Sequence, residues 1–390
     1  MKTVVILTHV TFDNSPYCSY VHEHAKELVR QGYRVLVFAI IHWFPVLSHF
    51  QKYKENFMKR IKKKNKSQII DGVEVIYKKA TSFSNFLYNT NINLNGMSYY
   101  CSIKKMFKKI YENENVVLLD AHTFKTEGYV AYRLKKKYRK ITTTVTLHGT
   151  SFFKSTNTKS GINSIRKILN NVDYSICVSN KIEKLAIENG VKNTQVIYNG
   201  IQSYEFEEVN KEDYRYNIIT VGALIPIKNH DITIRAIKRL YKKYPKIKLN
   251  IVGVGGEIDK LKSIVQENNL NQTVCFKGQI SNEKVQDLMN KSYIFLLPSI
   301  NEGFGIVYAE AMKAKCITIG TIGEGIDGFI KNGENGFLIN ANVEEIEKVI
   351  SDIYEGKYNL NRIRENAYND SKKLTWENNV RKYTKLLSKI

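Results

Sequence analysis

The most constraining feature of this sequence is an alternation of short β-branched runs with amphipathic segments, which occurs twice along the chain. In the first half the predicted strands cover residues 3–8, 34–40, 73–77, 116–120, 141–147, 174–178 and 194–198. Helical patterns lie between several of them, for example at 20–31 and 181–189, ended by Gly32 and Gly190. This alternation predicts a parallel sheet covered by helices.

A polar break over residues 202–216 contains five acidic residues, after which the alternation begins again. The second set of predicted strands covers 217–221, 248–252, 273–276, 293–297 and 316–319. The predicted helices between and after them cover 231–243, 258–268, 282–290, 305–313 and 343–355. A chain of 390 residues has room for two domains of this kind. We therefore predict an α/β fold of two Rossmann-like domains with a boundary near residues 203–215.

Charge is the unusual bulk property of the chain, with 60 Lys and Arg against 37 Asp and Glu and a net charge of +23. Such an excess favours an anionic partner, which leaves nucleic acid, an anionic membrane and a phosphorylated substrate open. No run of apolar residues is long enough to predict a transmembrane helix, and residues 1–7 fit a first strand better than a signal peptide. The five cysteines are scattered without C-x-x-C spacing, which favours reduced thiols over a zinc site.

The strongest local motif is the segment 297–312, in which a strand, a glycine-rich turn and a helix follow one another. In an open α/β sheet this is the carboxyl edge of a strand, where ligands bind. Amides at the helix start favour a phosphate, and Gly303 and Gly305 allow close approach of the backbone. Glu302 in the turn and Glu310 in the helix offer carboxylates for sugar or ribose hydroxyls. Taken singly, either carboxylate is better explained as an ordinary residue, Glu302 in the turn before the helix and Glu310 on a solvated helix face.

Other strand ends carry weaker signals. Residues 221–230 form a second glycine turn, in which Gly222 is followed by Lys228, a point charge suited to a diphosphate. The turn at 253–257 suggests a dinucleotide site, but its G-x-G-x-x-G pattern is incomplete, which disfavours a nicotinamide or flavin enzyme. In the first half, His148 and Asn199 each precede a glycine at a strand end.

The order and spacing of these residues resemble the GT-B glycosyltransferases of the retaining family 4 type, along nearly the whole chain. Glu302 and Glu310 match that family's E-x7-E signature, and 221–228 resembles its V-G-x-L-x-x-x-K donor loop. His148 and Asn199, each followed by glycine, resemble its H-G and N-G elements. Two positions depart from the family pattern. Ala223 stands where an Arg is frequent, and the first loop lacks the usual Gly-Gly.

The resemblance implies two Rossmann-like domains that face a cleft. An acceptor-binding domain would cover residues 1–205, completed by a C-terminal helix at 375–390 that crosses back to it, and a nucleotide-sugar domain would cover 206–374. The implied catalytic residues are His148, Glu302 and Lys228. The implied donor-binding residues are Gly222, Lys228, Gly303, Phe304, Gly305, Ile306, Val307, Glu310 and Asn199.

The resemblance further implies transfer of a hexose or N-acetylhexosamine from a nucleotide-diphosphate sugar, with UDP-sugar the expected donor, and with retention. The acceptor would be a lipid-linked or cell-surface glycan in polysaccharide or glycolipid biosynthesis. Neither a metal ion nor another cofactor is expected, since no D-x-D-like motif stands in a suitable loop. Lys228 and helix-start amides would then stabilise the leaving diphosphate. Paired hydrolytic carboxylates are disfavoured because no acid–base partner is evident.

Two basic segments suggest contact with an anionic membrane. Residues 43–66 carry eight positive charges with Trp43 and other apolar residues at helical spacing, and residues 103–111 are similar. Basic amphipathic helices lie in membrane interfaces, although a stripe packed on the sheet explains the same pattern. We therefore expect a cytoplasmic protein, peripheral on the inner face of the cell membrane, and no nucleic-acid partner.

Other functions remain open on sequence alone. One is a basic membrane- or nucleic-acid-binding protein on a degenerate GT-B scaffold. Others are a GT-B phosphorylase and a GT-B nucleotide-sugar epimerase, which would release a sugar phosphate or an isomerised sugar. The nature of the base, the sugar and the acceptor is not encoded in the motifs.

Overall fold

The computed structural model of the chain describes residues 1–9, 19–43, 67–82 and 93–387. It contains two compact units. The first comprises Met1–Gly200 together with Trp376–Ile390, and the second comprises Ile201–Thr375. The sequence placed the boundary at residue 205, five residues later than this division.

An eight-stranded sheet forms the centre of the first unit, in the order β3-β4-β2-β1-β5-β6-β7-β8. All neighbours pair in parallel except β3 and β4. Strands β2, β4 and β3 follow outward from β1, and β6, β7 and β8 follow outward from β5, so the strand order reverses between β1 and β5. The strands are β1 (Lys2–Thr8), β2 (Arg34–Trp43), β3 (Gln68–Ile70), β4 (Val73–Thr81), β5 (Asn115–His122), β6 (Thr142–Leu147), β7 (Tyr174–Cys177) and β8 (Thr194–Val196).

Helices cover this sheet because their apolar residues recur on one face, as the sequence pattern requires. They are α1 (Ser19–Arg30), α2 (Leu94–Asn113), α3 (Glu127–Lys137), α4 (Thr150–Thr156), α5 (Lys159–Leu169) and α6 (Asn180–Glu188). The inner strands are buried on both faces, as β1 is from Thr3 to Thr8 and β6 is along its whole length. Burial on both faces is typical of a parallel sheet between helix layers.

The second unit repeats this architecture with a six-stranded, parallel sheet in the order β11-β10-β9-β12-β13-β14. Its strands are β9 (Asn217–Val221), β10 (Lys248–Val252), β11 (Val274–Gly278), β12 (Ile294–Leu296), β13 (Ile317–Thr321) and β14 (Phe337–Ile339). Its helices are α7 (His230–Lys243), α8 (Ile258–Glu267), α9 (Asn282–Asn290), α10 (Ile306–Lys313), α11 (Val343–Tyr354) and α12 (Leu360–Ser371). The strand order reverses between β9 and β12.

The last helix, α13 (Trp376–Leu387), belongs to the first unit. It packs beside α1 and buries Trp376, Val380 and Tyr383. Gly200 lies against its first residue, since a Cβ on Gly200 would come within 2.6 Å of the Trp376 backbone nitrogen. This close approach accounts for a glycine at the end of the Asn199-Gly200 element.

Two short strands were not predicted from the sequence. Strands β3 and β14 have three residues each. The described residues contain no helix that is both long and apolar enough to cross a membrane.

Where the structure describes the two basic segments, they differ from the membrane-binding amphipathic helices that the sequence predicted. Trp43 is the last residue of β2 and pairs with Thr81, so no helix begins there, and residues 44–66 lie outside the described residues. The second segment forms part of α2, whose Ile103 and Phe107 are fully buried. Its apolar stripe therefore packs within the unit and is not available for membrane insertion. Only the exposed lysines of that helix can meet an anionic surface: Lys104, Lys105, Lys108 and Lys109.

Candidate active site

The loops after β9 and β12 lie side by side at the reversal point of the second sheet. In open α/β sheets, ligands bind at this point, beyond the carboxyl ends of the strands. The backbone N–H of Ile300 donates to the Ile227 carbonyl at 2.8 Å. The Asn229 side-chain amide donates to the Pro298 carbonyl at 2.7 Å. The two motif loops that the sequence identified separately thus form one structure.

Lys228 and Glu302 meet across these loops as an ion pair between the Lys228 ammonium and Glu302 Oε2. Their side chains are only 16% and 18% exposed, so this contact is less screened than a surface pair. Ser299 Oγ also donates to Glu302 Oε2 at 3.3 Å. The Glu302 backbone N–H in turn donates to Glu324 Oε2 at 3.0 Å. The predicted cation, Lys228, and the predicted carboxylate, Glu302, are therefore in direct contact. An anionic ligand that binds here would compete with Glu302 for Lys228.

Glycines bring the neighbouring backbone close to this pair. The Lys228 stem passes 3.7 Å from the position of a Cβ on Gly222. Gly253 has φ +140°, and a Cβ there would lie 1.9 Å from the Gly222 carbonyl oxygen. The backbone N–H of Gly222 also donates to the Val252 carbonyl at 3.0 Å. The glycine turn at 253–257 is thus explained by close packing beneath the donor loop, without a dinucleotide.

Helix α10 begins directly after the second loop. Gly305 precedes it with φ 78°, and no side chain caps the helix start. The first amides of an uncapped helix, here those of Ile306 and Val307, suit an anion. Phe304 is buried and makes an edge contact with Phe329, with ring centroids 6.0 Å apart. Of the predicted donor-binding residues, Phe304 can therefore contribute only its backbone.

Glu310 lies further along α10 and is only partly exposed. Burial raises the pKa of its carboxyl to about 7, against a small opposing effect of the Lys313 charge. Strongly shifted carboxyls at the rim of a ligand site are candidates for function. A ligand that donates hydrogen bonds to this carboxyl would stabilise its ionised form near neutral pH.

The first unit has its own pocket, with a volume of about 660 Å³. It lies at the reversal point between β1 and β5, so it occupies the position equivalent to the loops of the second unit. It is lined by His9, Tyr20, Thr123, His148, Gly149, Thr150, Ser151, Lys154, Asn157 and Thr158. His148, predicted from sequence, is thereby placed in a pocket wall. Asn199 is not among the residues that line it.

His9 is a pocket residue that the sequence did not single out. Its Nδ1 contacts Glu127 Oε1 at 2.8 Å, and Glu127 is 1% exposed while His9 is 44% exposed. The Glu127 charge raises the pKa of His9, against the opposing effect of burial. Thr123 Oγ1 also donates to Glu127. The sequence offered one sign that His9 could line a site, which is its position directly after the first strand.

Behind His148 lies a buried cluster of three further side chains. His122 Nδ1 is 3.0 Å from His148 Nε2, and the two ring planes are nearly parallel, at 14°, with centroids 5.2 Å apart. Asp120 Oδ2 lies 3.1 Å from His122 Nε2 and 3.4 Å from His24 Nε2. Among the described residues, His24, Asp120 and His122 are the one group whose donor atoms could hold a metal ion. Burial, followed by the charge of His122, lowers the pKa of His148 well below its usual value.

Comparisons with known proteins cover both units. A model of the glycosyl transferases group 1 family matches residues 202–370, and a model of glycosyltransferase family 4 matches residues 19–203. An uncharacterised glycosyltransferase of Methanocaldococcus jannaschii is 31% identical over 285 residues, which cover 72% of this chain and 78% of that protein. A subunit of the Saccharomyces cerevisiae phosphatidylinositol N-acetylglucosaminyltransferase is 24% identical over 193 residues, 46% of this chain and 42% of the relative.

A solved structure extends the likeness of fold to the full length. The crystal structure of Anabaena HepE in complex with UDP and glucose superimposes with a TM-score of 0.71. The alignment covers 100% of both chains at 18% sequence identity. The two-unit architecture described above is therefore the fold of that structure.

Proposed function

We propose that this chain, which belongs to the GT-B glycosyltransferases of the family 4 type, moves a hexose or N-acetylhexosamine from a UDP-sugar with retention. The acceptor we propose is a lipid-linked or cell-surface glycan. The observation that carries the proposal is the Lys228–Glu302 pair at the reversal point of the second sheet, next to an uncapped helix start. A cation, backbone amides and carboxylates at one sheet edge match the phosphates, sugar and ribose of such a donor.

The chemistry follows from the charge that the donor develops. When the bond between the sugar C1 and the diphosphate breaks, negative charge grows on the leaving oxygen. Lys228 can exchange Glu302 for this phosphate, and the amides at the start of α10 add hydrogen bonds. Glu302 would then accept a hydrogen bond from a sugar hydroxyl, and Glu310 would accept from the ribose.

Retention needs the acceptor oxygen to attack C1 from the face that the diphosphate leaves. In this front-face reaction the acceptor hydroxyl proton passes to the departing phosphate oxygen, and no covalent enzyme intermediate forms. The groups proposed to hold the charge are Lys228 and amides, so the reaction as proposed uses no metal ion. His148, in the pocket of the first unit, is the third catalytic residue that we propose.

The donor and acceptor proposals are supported by the relatives. The HepE structure contains UDP and glucose, and the yeast relative is named for transfer of N-acetylglucosamine to a phosphatidylinositol. These names describe those proteins. Here they favour a uridine nucleotide over other bases and a lipid-linked acceptor over a soluble one.

A ligand screen tests the proposed donor directly. We expect UDP, UDP-glucose or UDP-N-acetylglucosamine to raise the melting temperature in a thermal-shift assay, because a ligand that binds only the folded state stabilises it. At a ligand concentration of 100 times Kd, the stabilisation is about 2.7 kcal/mol. GDP, ADP and dTDP sugars serve as controls of similar charge, and a larger shift with any of them would contradict the choice of UDP.

Product analysis separates the remaining alternatives. A phosphorylase would release a sugar phosphate, and an epimerase would release an isomerised sugar, whereas the proposed transferase releases UDP and a glycoside. A degenerate GT-B scaffold would show no change in melting temperature with any nucleotide sugar. That result would contradict the proposal that this site binds the donor of an enzyme.

A peripheral position on the cytoplasmic leaflet is the second part of the proposal. Helix α2 presents exposed lysines, and each basic residue near an anionic surface contributes about 1 kcal/mol. We expect the protein to co-sediment with anionic vesicles at low salt, and a variant with Lys104, Lys105, Lys108 and Lys109 replaced by Gln to bind at least ~10-fold more weakly.

The matched control replaces four exposed lysines of the second unit by Gln: Lys242, Lys246, Lys262 and Lys284. Both variants lose the same charge, so a specific surface predicts a larger loss for the α2 variant. Equal losses would show that only net charge matters, and a wild-type protein that stays in the supernatant would refute membrane docking.

A further inference from the structure

Three buried side chains of the first unit each bring one polar atom into the same small space behind His148. His24 lies on α1, whereas Asp120 and His122 lie two residues apart on one face of β5. Asp120 Oδ2 is 3.1 Å from His122 Nε2 and 3.4 Å from His24 Nε2. One donor atom of each residue lies within 4.8 Å of the other two, and none of the side chains is more than 4% exposed. We call His24 Nε2, Asp120 Oδ2 and His122 Nε2 the inner atoms.

The inner atoms face one another without a hydrogen bond. None of the three has a hydrogen-bond partner among the residues that the structure describes. Buried polar atoms in folded proteins nearly always have such a partner. A buried carboxylate such as Asp120 is paired with a cation or coordinates a metal, because removing its charge from water is costly. A histidine supplies the cation only when it is protonated, whereas a metal ion supplies it to two neutral rings.

We propose that the inner atoms bind one divalent transition-metal ion, with zinc as the expected metal. Two imidazole nitrogens and one carboxylate oxygen suit zinc and its first-row neighbours, whereas Mg²⁺ and Ca²⁺ prefer oxygen ligands alone. Ligand atoms at ~2.1 Å from a tetrahedral zinc ion stand about 3.4 Å apart. Both contacts of Asp120 Oδ2 are close to that spacing. Three protein ligands leave one position of the ion for water.

The opposite side of each ligand residue is held in place, as metal ligands usually are. Every outer atom has a partner at hydrogen-bond distance, and these partners are Asn379 for His24 at 2.9 Å, Thr144 for Asp120 at 2.6 Å and His148 for His122 at 3.0 Å. Asn379 is itself fixed, because its side-chain amide donates to the Tyr198 carbonyl at 2.8 Å. The inner atoms are therefore oriented toward one another by a surrounding shell of contacts.

An ion at this position would fasten α1 to the central strand β5 and fix the His122 ring that contacts the pocket residue His148. Its role would be structural, and it would lie in the first unit, whereas the leaving-group chemistry proposed above uses Lys228 in the second. The sequence predicted no metal ion because no D-x-D-like motif stands in a suitable loop. Here the ligands come from a helix and a strand that only the fold brings together. The site does not depend on the proposed function.

Metal analysis of the whole chain tests the site without any substrate. The protein is purified with an affinity tag that contains no histidine, in buffer without a chelator, and its metal content is measured by plasma mass spectrometry. We expect about one equivalent of zinc or another divalent transition metal. Removal of the ion by a chelator should lower the melting temperature, and Zn²⁺ at 100 times Kd should raise it again by about 5 to 10 °C.

Two histidine variants on the same helix locate the ion. His24→Gln should lose the metal equivalent. The matched control is His22→Gln, because His22 also lies on α1 and beside a carboxylate, Asp71 at 3.1 Å, but does not belong to the cluster. This control should keep the full equivalent. Thr144→Val removes only the outer partner of Asp120, so it should weaken metal binding by about 10- to 100-fold.

Three results would overturn the proposal. The first is a wild-type protein that holds no metal after incubation with Zn²⁺ and gel filtration, which would make the cluster an ion pair of Asp120 with a protonated histidine. The second is a His24→Gln variant with the same metal content as wild type. The third is sulfur among the ligands in X-ray absorption of the wild-type protein, where we expect nitrogen and oxygen at about 2.0 to 2.2 Å.

The absorption measurement needs only the wild-type chain, so it decides even if His24→Gln does not fold. Failure of the proposed function has a separate sign, since it would show as an absence of UDP-sugar binding by a chain that still holds its metal.

Discussion

Lys228→Ala should lower kcat for transfer from a UDP-sugar by about 10²- to 10³-fold, the usual cost of removing one group that stabilises developing charge. Ala223 stands in the same donor loop at the position where related sequences often have a second cation. In the proposed reaction, Lys228 is thus the basic residue of that loop on which the leaving diphosphate depends. Steady-state release of UDP, measured with saturating donor, gives the value directly.

The control for this prediction is Lys242→Ala, an exposed lysine on α7 that should leave kcat unchanged. The ion pair with Glu302 adds a second expectation. Removing Lys228 leaves the Glu302 carboxylate without its cation, so Lys228→Ala and Glu302→Gln should not be additive in a double-mutant cycle. Additive losses, or a kcat for Lys228→Ala within threefold of wild type, would contradict a shared role at the leaving group.

The Lys228–Glu302 pair also shows what the sequence could predict. Each residue was identified as a strand-end residue of a predicted α/β domain, and the fold confirms two parallel-sheet units. Their mutual contact could not be read from the sequence, because it depends on β12 pairing beside β9 after two intervening strands. The sequence predicts the strands. Only the order of the strands in the sheet brings two residues that are 74 positions apart into one ion pair.

The first unit shows the opposite limit. His148 was recognised by its glycine neighbour, whereas His24, Asp120 and His122 read as ordinary strand and helix residues. Their contacts join β5, β6, α1 and α13, and no local pattern encodes a contact such as His24 with Asn379, which are 355 residues apart. Glu324 follows β13, the strand beside β12, and it was missed because it contacts the Glu302 backbone N–H, which no sequence pattern marks.

UDP should bind more weakly as the pH falls through 7, because its ribose hydroxyls would donate hydrogen bonds to the ionised form of Glu310. Burial raises the pKa of this carboxyl from 4.5 to about 7. With that value, only ~3% of the free protein is ionised at pH 5.5 and ~90% at pH 8. If the bound state holds the ionised form, the affinity for UDP should fall by about 30-fold between pH 8 and pH 5.5. Calorimetry of wild type and Glu310→Gln isolates this contribution, since the phosphates of UDP titrate equally in both.

The raised pKa of Glu310 has the opposite effect on the free energy of unfolding, which it lowers as the pH rises. The folded-state pKa lies above the unfolded one, so the folded chain holds the Glu310 proton more tightly between pH 4.5 and pH 7. Its favourable contribution is present at low pH and is lost as the pH rises through 7, with up to about 3 kcal/mol of destabilisation at pH 8. Glu310→Gln carries no charge, so it should be more stable than wild type at pH 8, similar at pH 5, and yet bind UDP more weakly at pH 8. A residue with only a packing role would not gain stability while losing affinity. Melting temperatures and UDP titrations at the two pH values therefore decide whether Glu310 is retained for the ligand, and a Gln variant that is less stable at pH 8 would contradict that role.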